Sequence, residues 1–187
     1  MALRETKREA TRRRILAAAR LLFLQQGYAA TTMEQVAAGA EVSRASLFNY
    51  FPGKAALLEG LGHDLEARIL EALNHYRVKH DSPSQVLMAL FTHAAQVLEQ
   101  TSGLTRLIFV HATGVVGLPS VEAGFLALVE KGQSSGHWRS DIAAPRLAEL
   151  CYLEFVAGML DWCRPEGQLH GDLFGDRVQA LNTLLVA

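Results

Sequence analysis

Residues 31–54 read TTMEQVAAGAEVSRASLFNYFPGK, and they carry the clearest structural pattern in the chain. It contains two short segments with apolar residues at helical spacing, which predict helices from Met33 to about Ala40 and over 44–50. Ser43 is a favoured N-cap residue for the second helix, and Pro52 with the glycine after it ends that helix. Two short helices joined by a two-residue turn are typical of a helix-turn-helix.

The sequence before this stretch predicts one longer helix. Thr6 and Glu9 have the spacing of a capping box, in which each side chain binds the backbone amide of the other residue. Gly27 provides the left-handed residue that commonly ends a helix. A second capping box is predicted at Thr31 and Glu34, before the first helix of the pair. The apolar residues of the long helix form one stripe that we expect to be buried: Ile15, Leu16, Ala19, Leu22 and Phe23.

Charge is distributed unevenly along the chain. The 187 residues include 18 Lys and Arg against 19 Asp and Glu, a net charge of −1. Residues 1–54, however, hold nine basic and four acidic residues, a net charge of +5, whereas the rest of the chain carries −6. A basic segment of this kind favours a surface that binds a polyanion. From charge alone, the alternative is a solvated basic face.

Beyond residue 54 the chain is rich in Ala and Leu and lacks the alternating pattern of β-strands. Prolines near three helix starts and glycines at the breaks mark the segments. The sequence therefore predicts an all-α fold of about nine helices, with a helix-turn-helix domain at 1–54 and a larger helical domain at 55–187. The helices expected in the larger domain are 54–78, 84–101, 104–113, 119–134, 144–163 and 172–186.

The quoted stretch resembles the DNA-binding segment of the TetR family of bacterial transcription regulators. The positions that match the family pattern are Val36-Ala37, Ala40, Val42-Ser43, Leu47, Phe51 and Lys54. The resemblance in sequence covers roughly residues 8–62, and beyond them only the length and the all-α character are similar. It implies that residues 1–54 bind DNA and that residues 55–187 bind an effector and dimerise.

Four positions depart from the family pattern. Glu41 stands at the turn position that is usually Gly, and a left-handed backbone there would cost about 1–2 kcal/mol. Ala45 also replaces a Gly, and alanine is favourable inside a helix. Phe48 replaces a frequent Tyr and removes one hydroxyl, whereas Tyr50 replaces a frequent His and adds one. These changes bear on single contacts and leave the predicted fold unchanged.

The resemblance implies that the helix at 44–50 enters the major groove of DNA. Arg44 is the main candidate for reading a base, because its planar guanidinium matches guanine O6 and N7, and a phosphate contact is the alternative. Ser46 and Asn49 are candidates for contacts with bases or with the sugar-phosphate backbone. Phosphate contacts are expected from Tyr50, Thr32, Ser43 and Lys54, and contacts of an N-terminal arm from Arg4, Lys7, Arg8 and Arg12. For each arm residue the alternative is a solvated side chain.

One helix-turn-helix covers few base pairs, so we expect a two-fold homodimer on a roughly palindromic operator. In the TetR family the last two long helices form the dimer interface, and these correspond here to 144–163 and 172–186. The first of them is apolar on most faces and must be buried on most faces, either by a partner or inside its own domain. Its apolar residues are Leu147, Leu150, Cys151, Leu153, Phe155, Val156, Met159 and Leu160.

Residues 84–163 combine bulky apolar groups with a few polar ones, as small-molecule sites do. The resemblance implies that this region binds an inducer, and that a shift of the helix at 54–78 changes the spacing of the recognition helices. The alternative is an ordinary core. The candidate ligand-binding residues are Met88, Phe91, His93, Gln96, Phe109, His111, Phe125, Trp138, Tyr152 and Met159.

Enzymatic activity is not expected from this sequence. It contains no phosphate-binding glycine loop, no nucleophile elbow and no His, Cys and Asp cluster with catalytic spacing. Its seven histidines lack the i, i+3 or i+4 spacing of metal ligands, so neither a metal nor a cofactor is expected.

No membrane span is expected, because the longest uncharged stretch, 82–98, is short and polar. Two cysteines are too few for a disulfide framework, which favours a cytoplasmic protein. The predicted function is a homodimeric, ligand-responsive transcriptional regulator, with repression as the expected mode and a small, largely apolar effector. The alternative is a DNA-binding protein without a small-molecule ligand, either architectural or recruited by a partner.

Overall fold

The computed structural model describes the backbone of residues 2–111, 118–162 and 173–186, and the side chains of 6–99, 103–108, 118–161 and 174–186. Every regular element in these ranges is α-helical, which confirms the predicted all-α fold. None of the helices described there has the length and hydropathy needed to cross a bilayer. The helices in these ranges are α1 (Ala2–Gln26), α2 (Met33–Gly39), α3 (Arg44–Tyr50), α4 (Lys54–Lys79), α5 (Pro83–His111), α6 (Pro119–Ser134), α7 (Ala144–Trp162) and α8 (Leu173–Leu185).

The chain divides into two compact units. The first comprises Met1–Asp64 with Leu107–Gly114, and the second comprises Leu65–Arg106 with Val115–Ala187. The first turns of α4 therefore belong to the same unit as the helix-turn-helix, and its later turns belong to the second unit. The domain boundary that the sequence predicts after residue 54 stays a prediction.

The core of the first unit is built on α1, which packs against α2, and α2 packs against α3. The predicted stripe of α1 faces this core, with Leu22 half-buried and the other four members buried. Leu47 of α3 and Phe51 after it are buried as well. Burial of one large apolar side chain contributes about 1.5–3 kcal/mol, so the stripe is the main contribution of α1 to the stability of this unit.

The start of α1 differs from the prediction. The helix begins at Ala2, so Thr6 lies inside it, and the predicted capping box with Glu9 is wrong. The residues before Thr6 include Ala, Leu and Arg, which have high helical propensity. This propensity outweighs the cap signal of a single threonine. The end of α1 is as predicted. Gly27 has φ +85°, and its N–H donates to the Phe23 carbonyl at 3.1 Å.

Four phenylalanines occupy the centre of the second unit. The ring centres of Phe91 in α5, Phe155 in α7 and Phe174 in α8 lie 5.3–6.5 Å apart, in edge-to-face pairs. Phe125 of α6 lies 5.7 Å from Phe155. Each such pair contributes about 0.5–1.5 kcal/mol beyond the burial of its area. This cluster explains why α6 packs along α7 and α7 along α8.

Helix α5 joins two segments that the sequence predicts as separate helices, 84–101 and 104–113. The structure has one continuous helix through Gly103, and residues 112–113 lie outside the described residues. A glycine inside a helix costs only about 0.5–1 kcal/mol relative to alanine. Leu98 and Leu104, on either side of Gly103, are buried, and this burial offsets the cost.

Candidate nucleic-acid interface and ligand cavity

The start of α2 is fixed by a capping box one residue later than predicted. The N-cap is Thr32, whose hydroxyl accepts from the Gln35 N–H at 3.2 Å, while the Gln35 side chain accepts from the Thr32 N–H at 2.9 Å. The predicted cap, Thr31, is buried and donates its hydroxyl to the Gly27 carbonyl at 2.8 Å. Glu34 is therefore free of any capping role and lies exposed on the first turn of α2.

The turn between α2 and α3 is closed by two backbone hydrogen bonds. The Val42 N–H donates to the Ala37 carbonyl at 3.0 Å, and the Glu41 N–H donates to the Ala38 carbonyl at 3.1 Å. These bonds form a Schellman motif with Glu41 in the left-handed region, at φ +53°. The departure from Gly at this position therefore carries the expected strain of about 1–2 kcal/mol.

Helix α3 begins and ends as predicted. The Ser43 side chain accepts from the Ser46 N–H at 3.1 Å and caps the helix. Leu47 is fully buried and anchors α3 to the core of its unit. Of the predicted DNA contacts on this helix, Arg44 and Asn49 are exposed, and Ser46 and Tyr50 are half-buried.

Arg44 has two partners in the helix-turn-helix. Its Nη2 lies 3.2 Å from Oε1 of Glu34, and its Cζ lies 5.6 Å from the ring centre of Phe48. The Arg44 and Glu34 side chains are 69% and 56% exposed. The guanidinium is therefore held on the surface, at the first turn of α3.

Lys54, the first residue of α4, binds within its own unit. Its ammonium donates to the carbonyls of Tyr28 and Ala29, at 2.8 and 3.1 Å, and lies 4.8 Å from the ring centre of Tyr28. These contacts tie the start of α4 to the loop after α1. An ammonium has three N–H donors, so one donor of Lys54 is left for another acceptor.

The basic residues of α1 differ in their surroundings. Lys7 and Arg8 are exposed. Arg12 is half-buried, and its Nη1 lies 3.4 Å from Oδ1 of Asp64 in α4. The side chain of Arg4 lies outside the described residues. The DNA contacts predicted for these residues stay predictions.

The second unit contains a small, largely apolar cavity of about 40 Å³ between α4, α5 and α7. Three polar side chains reach its wall: Arg68, His93 and Thr105. The rest of the wall is apolar and consists of Leu65, Ile69, Ala72, Leu90, Ala94, Val97, Leu98, Phe155 and Met159.

The structure brings two of the ten predicted ligand-binding residues, His93 and Met159, to this cavity. Phe91 and Phe125 belong to the aromatic centre of the unit, whereas Met88 and Gln96 are exposed. The side chains of Phe109 and His111 lie outside the described residues. The role of all ten in ligand binding stays a prediction.

The remaining two of the ten, Trp138 and Tyr152, are buried and hydrogen-bonded away from the cavity. The Trp138 Nε1–H donates to Oγ of Ser84 at 3.0 Å, and the Tyr152 hydroxyl accepts from the Leu118 N–H at 2.8 Å. Burial raises the pKa of Tyr152. Both contacts join separate segments of the second unit.

Two polar residues of the cavity wall, Arg68 and Thr105, were not predicted. Arg68 lies on one face of α4 with Leu65, Ile69 and Ala72, at the i, i+3, i+4 and i+7 spacing, so the sequence contained a signal for it. Thr105 is buried, and it reaches the cavity because α5 continues through the glycine at which the sequence predicts a break.

An exposed groove runs between α7 and α8. Leu150 and Leu184 line it and are 38% and 41% exposed. Arg177, also in the groove wall, forms ion pairs with Glu154 and Asp161 of α7. The Nε of Arg177 is buried and has no hydrogen-bond partner among the described residues. Of the apolar residues predicted on α7, Leu150 and Leu153 are exposed, Leu160 is half-buried, and Leu147, Cys151, Phe155, Val156 and Met159 are buried.

In the part of the chain that the structure describes, no three His, Cys, Asp or Glu side chains are placed to hold a metal ion. Cys151 is buried on α7, and burial raises the pKa of its thiol to about 12. A thiol with this pKa stays protonated and unreactive near neutral pH. Cys163 lies outside the described residues.

Residues 15–61 match a family described as bacterial regulatory proteins, tetR family. The match covers α2, the turn and α3, together with the buried stripe of α1 and the first turns of α4. The HTH-type transcriptional regulator AcrR of Shigella flexneri is 33% identical over 119 residues, which are 61% of this chain and 55% of that protein. The match thus spans little more than half the length of that relative.

Solved TetR-family structures share this fold along nearly the whole chain. A regulator of the family from Pectobacterium atrosepticum is similar with a TM-score of 0.78 at 21% identity, covering 97% of both chains. FadR of Thermus thermophilus, a TetR-family transcriptional repressor in complex with lauroyl-CoA, is similar with a TM-score of 0.66 at 26% identity, covering 92% of both chains. The family match thus places residues 15–61 in the TetR family of bacterial regulatory proteins, and the chain as a whole shares the fold of that family's solved structures, which confirms the resemblance found in the sequence.

Proposed function

We propose that this chain is a homodimeric transcriptional repressor that binds a palindromic operator through α3 and is released by a small, largely apolar effector. The observation that carries the proposal is the position of Arg44, an exposed guanidinium on the first turn of the second helix of the helix-turn-helix. That turn is the part of a recognition helix nearest the base edges, and a guanidinium matches guanine O6 and N7.

Residues around Arg44 supply contacts with the DNA backbone. The hydroxyl oxygens of Thr32 and Ser43 accept from backbone N–H groups in the first turns of α2 and α3, so the hydroxyl hydrogens remain available to phosphate oxygens. The third N–H donor of Lys54 serves in the same way. Lys7 and Arg8 add positive charge on α1, which strengthens binding and makes it depend on salt.

The dimer forms through α7 and α8. The exposed leucines of the groove, Leu150 and Leu184, form an apolar surface that a second copy of the chain would bury. A two-fold arrangement places the same surface on both partners. The second copy would also supply a hydrogen-bond acceptor for the buried Nε of Arg177. Two copies then present α3 to successive major grooves.

The effector binds at the cavity between α4, α5 and α7. A cavity of about 40 Å³ has room for roughly two or three water molecules, so an effector must open it. The side chains of Arg68, His93 and Thr105 would bind the polar end of the effector. The first turns of α4 belong to the unit that holds the helix-turn-helix. A displacement of α4 at Arg68 is therefore the proposed route by which the effector releases the protein from DNA. The complex of the FadR relative with lauroyl-CoA supports an effector that has an apolar tail.

The test is selection of bound sequences from a random double-stranded DNA pool at near-physiological salt, with protein refolded after dialysis to remove any bound effector. We expect an enriched inverted repeat. Arg44→Ala should lower affinity for that operator by about 10–100-fold and relax the preference at one base pair of each half-site. Arg20→Ala is the matched control, since it removes an exposed arginine of α1 in the same unit.

Two outcomes would contradict the proposal. Absence of any enriched repeat would argue against operator binding. An equal loss of affinity for operator and random DNA in Arg44→Ala would reduce Arg44 to a phosphate contact.

The small volume of the cavity favours a second candidate, a DNA-binding protein without an effector. Failure of medium-chain acyl-CoA and free medium-chain carboxylic acids to release a selected operator would favour this candidate.

A further inference from the structure

An acidic residue lies beside the main candidate for base reading. Glu34 is on the first turn of α2 and Arg44 on the first turn of α3, so their ion pair of 3.2 Å joins the two helices of the helix-turn-helix. Both side chains are more than half exposed, and an exposed pair of this kind adds little to folding stability. The stability of the fold therefore does not account for an acid in this place.

A carboxylate is unfavourable on a surface that approaches DNA, because every phosphate repels it. Next to Arg44, however, it has a selective effect. The charge of Glu34 offsets the attraction of Arg44 for phosphates, which are the same in every sequence. Hydrogen bonds from the guanidinium to a guanine edge depend on geometry and on the base, and they are less affected by the neighbouring charge.

The guanidinium is also oriented on two sides. Oε1 of Glu34 lies 3.2 Å from Nη2, and the ring of Phe48, one turn further along α3, lies below Cζ at 5.6 Å. A guanidinium has five N–H donors in a planar fork, so most of them remain available to a base. An arginine held in this way loses less side-chain entropy on binding than a free one.

We propose that Glu34 is a positioning and specificity-determining residue, which holds Arg44 for a base edge and opposes its binding to phosphates, with Phe48 as the second support. The inference rests on the proposed function, in which Arg44 reads the operator. Glu34 thus weakens binding to DNA in general and strengthens the preference for one base pair.

The experiment compares Glu34→Gln with wild type in operator selection and in titrations of operator and random DNA. Loss of one unit charge near the DNA is expected to strengthen binding to random DNA by roughly threefold. The preference at the base pair read by Arg44 should fall by roughly fivefold, while the other positions of the operator keep their preferences. In an Arg44→Ala background, Glu34→Gln should have no further effect at that base pair.

Glu41→Gln is the matched control. It removes the same charge from the exposed turn between the same two helices, whereas the ion pair of Arg44 is with Glu34. It should strengthen binding to random DNA and leave the preference at the Arg44 base pair unchanged. Phe48→Leu keeps the charge and removes the ring, so it should relax that preference without strengthening binding to random DNA.

Equal effects of Glu34→Gln and Glu41→Gln on base preference would overturn the inference, because Glu34 would then act only through its negative charge and not by positioning Arg44. Unchanged preference in Glu34→Gln would overturn it as well. Thermal unfolding of each variant should match wild type, which separates positioning from a loss of structure. A wild type that selects no operator would refute the proposed function, and this inference with it. If wild type selects an operator and the variants keep the same base preferences, the inference is refuted and the proposed function stands.

Discussion

The indole of Trp138 lies against Gly132 so closely that a Cβ on Gly132 would be 2.6 Å from Cδ2 of the ring. Trp138 is buried, and its Nε1–H donates to Oγ of Ser84 at the start of α5. The backbone reinforces this contact, because the N–H groups of both His137 and Trp138 donate to the Gly132 carbonyl. The end of α6 therefore depends on the absence of a side chain at residue 132.

Gly132→Ala is expected to lower the free energy of unfolding by about 1–3 kcal/mol, because the new methyl group must displace a buried ring that is held by a hydrogen bond. Urea denaturation measures this. Gly103→Ala is the matched control, since Gly103 lies in α5 with nothing within 4 Å of the added Cβ. It should raise the free energy of unfolding by about 0.5–1 kcal/mol. Equal effects of the two substitutions would contradict the steric account.

Glu41→Gly is expected to stabilise the protein by about 0.5–1 kcal/mol. The left-handed backbone at Glu41 costs a residue with a side chain about 1–2 kcal/mol, and the larger entropy of an unfolded glycine offsets part of the gain. Glu41→Gln keeps the side chain and the strain, so its stability should match wild type. Urea denaturation of the three proteins measures the difference. If the Gly and Gln variants had equal stability, the strain at Glu41 would be absent.

Helix α3 shows what local sequence determines. Its N-cap at Ser43 and its bounds both depend on neighbours in the chain, and the sequence predicts both of them. The cap of α2 shows the limit. Both Thr31 and Thr32 can cap a helix. The Thr31 hydroxyl binds the Gly27 carbonyl instead, which leaves Thr32 as the cap, and the spacing of Thr31 and Glu34 does not reveal this choice.

The cavity is harder to predict from the sequence than the helix caps are. Its wall combines residues of α4, α5 and α7, and the distances between these helices follow from packing across the whole unit. Phe91 and Phe125 are buried in the aromatic centre of the unit, and the sequence pattern of such core residues is the same as that of the apolar wall of a ligand site. Arg44 was predicted as an exposed recognition residue, whereas its pairing with Glu34 depends on the angle of the turn between two helices.

Cys151 is expected to make the stability of the protein fall with rising pH above about 9. In the unfolded chain the thiol ionises near its ordinary pKa of 9.0, while burial raises the pKa of the folded thiol to about 12. Between these values the unfolded state binds fewer protons than the folded state, so stability falls by about 1.4 kcal/mol per pH unit from this group. Below pH 9 the thiol is protonated in both states and contributes no pH dependence.

The measurement is urea denaturation of wild type and Cys151→Ala between pH 7 and 10.5. Other groups titrate in this range in both proteins, so the difference between the two curves isolates the thiol. The variant loses a constant amount of packing energy at every pH, and its deficit should shrink as the pH rises above 9. A deficit that stays constant up to pH 10.5 would mean that the folded thiol ionises normally.

In the proposed dimer, Leu150→Glu is expected to separate the two copies, so that the variant is a monomer at micromolar concentration. The substitution places a charge in the apolar groove between α7 and α8, and burial of an unpaired carboxylate against a second copy is strongly unfavourable. Sedimentation equilibrium should give twice the chain mass of 20.5 kDa for wild type and 20.5 kDa for the variant. Leu184→Glu, across the groove, should act alike, because Leu184 belongs to the same surface.

Val78→Glu is the control for the effect of charge. Val78 is 90% exposed on α4, so the same substitution there should leave the dimer intact. Circular dichroism should show equal helicity in all three variants, because Leu150 and Leu184 are both already partly exposed to solvent. A monomeric wild type, or a dimer that survives both groove substitutions, would place the interface elsewhere. In that case the two-fold arrangement of α3 on an inverted repeat would need a different pair of helices to form it.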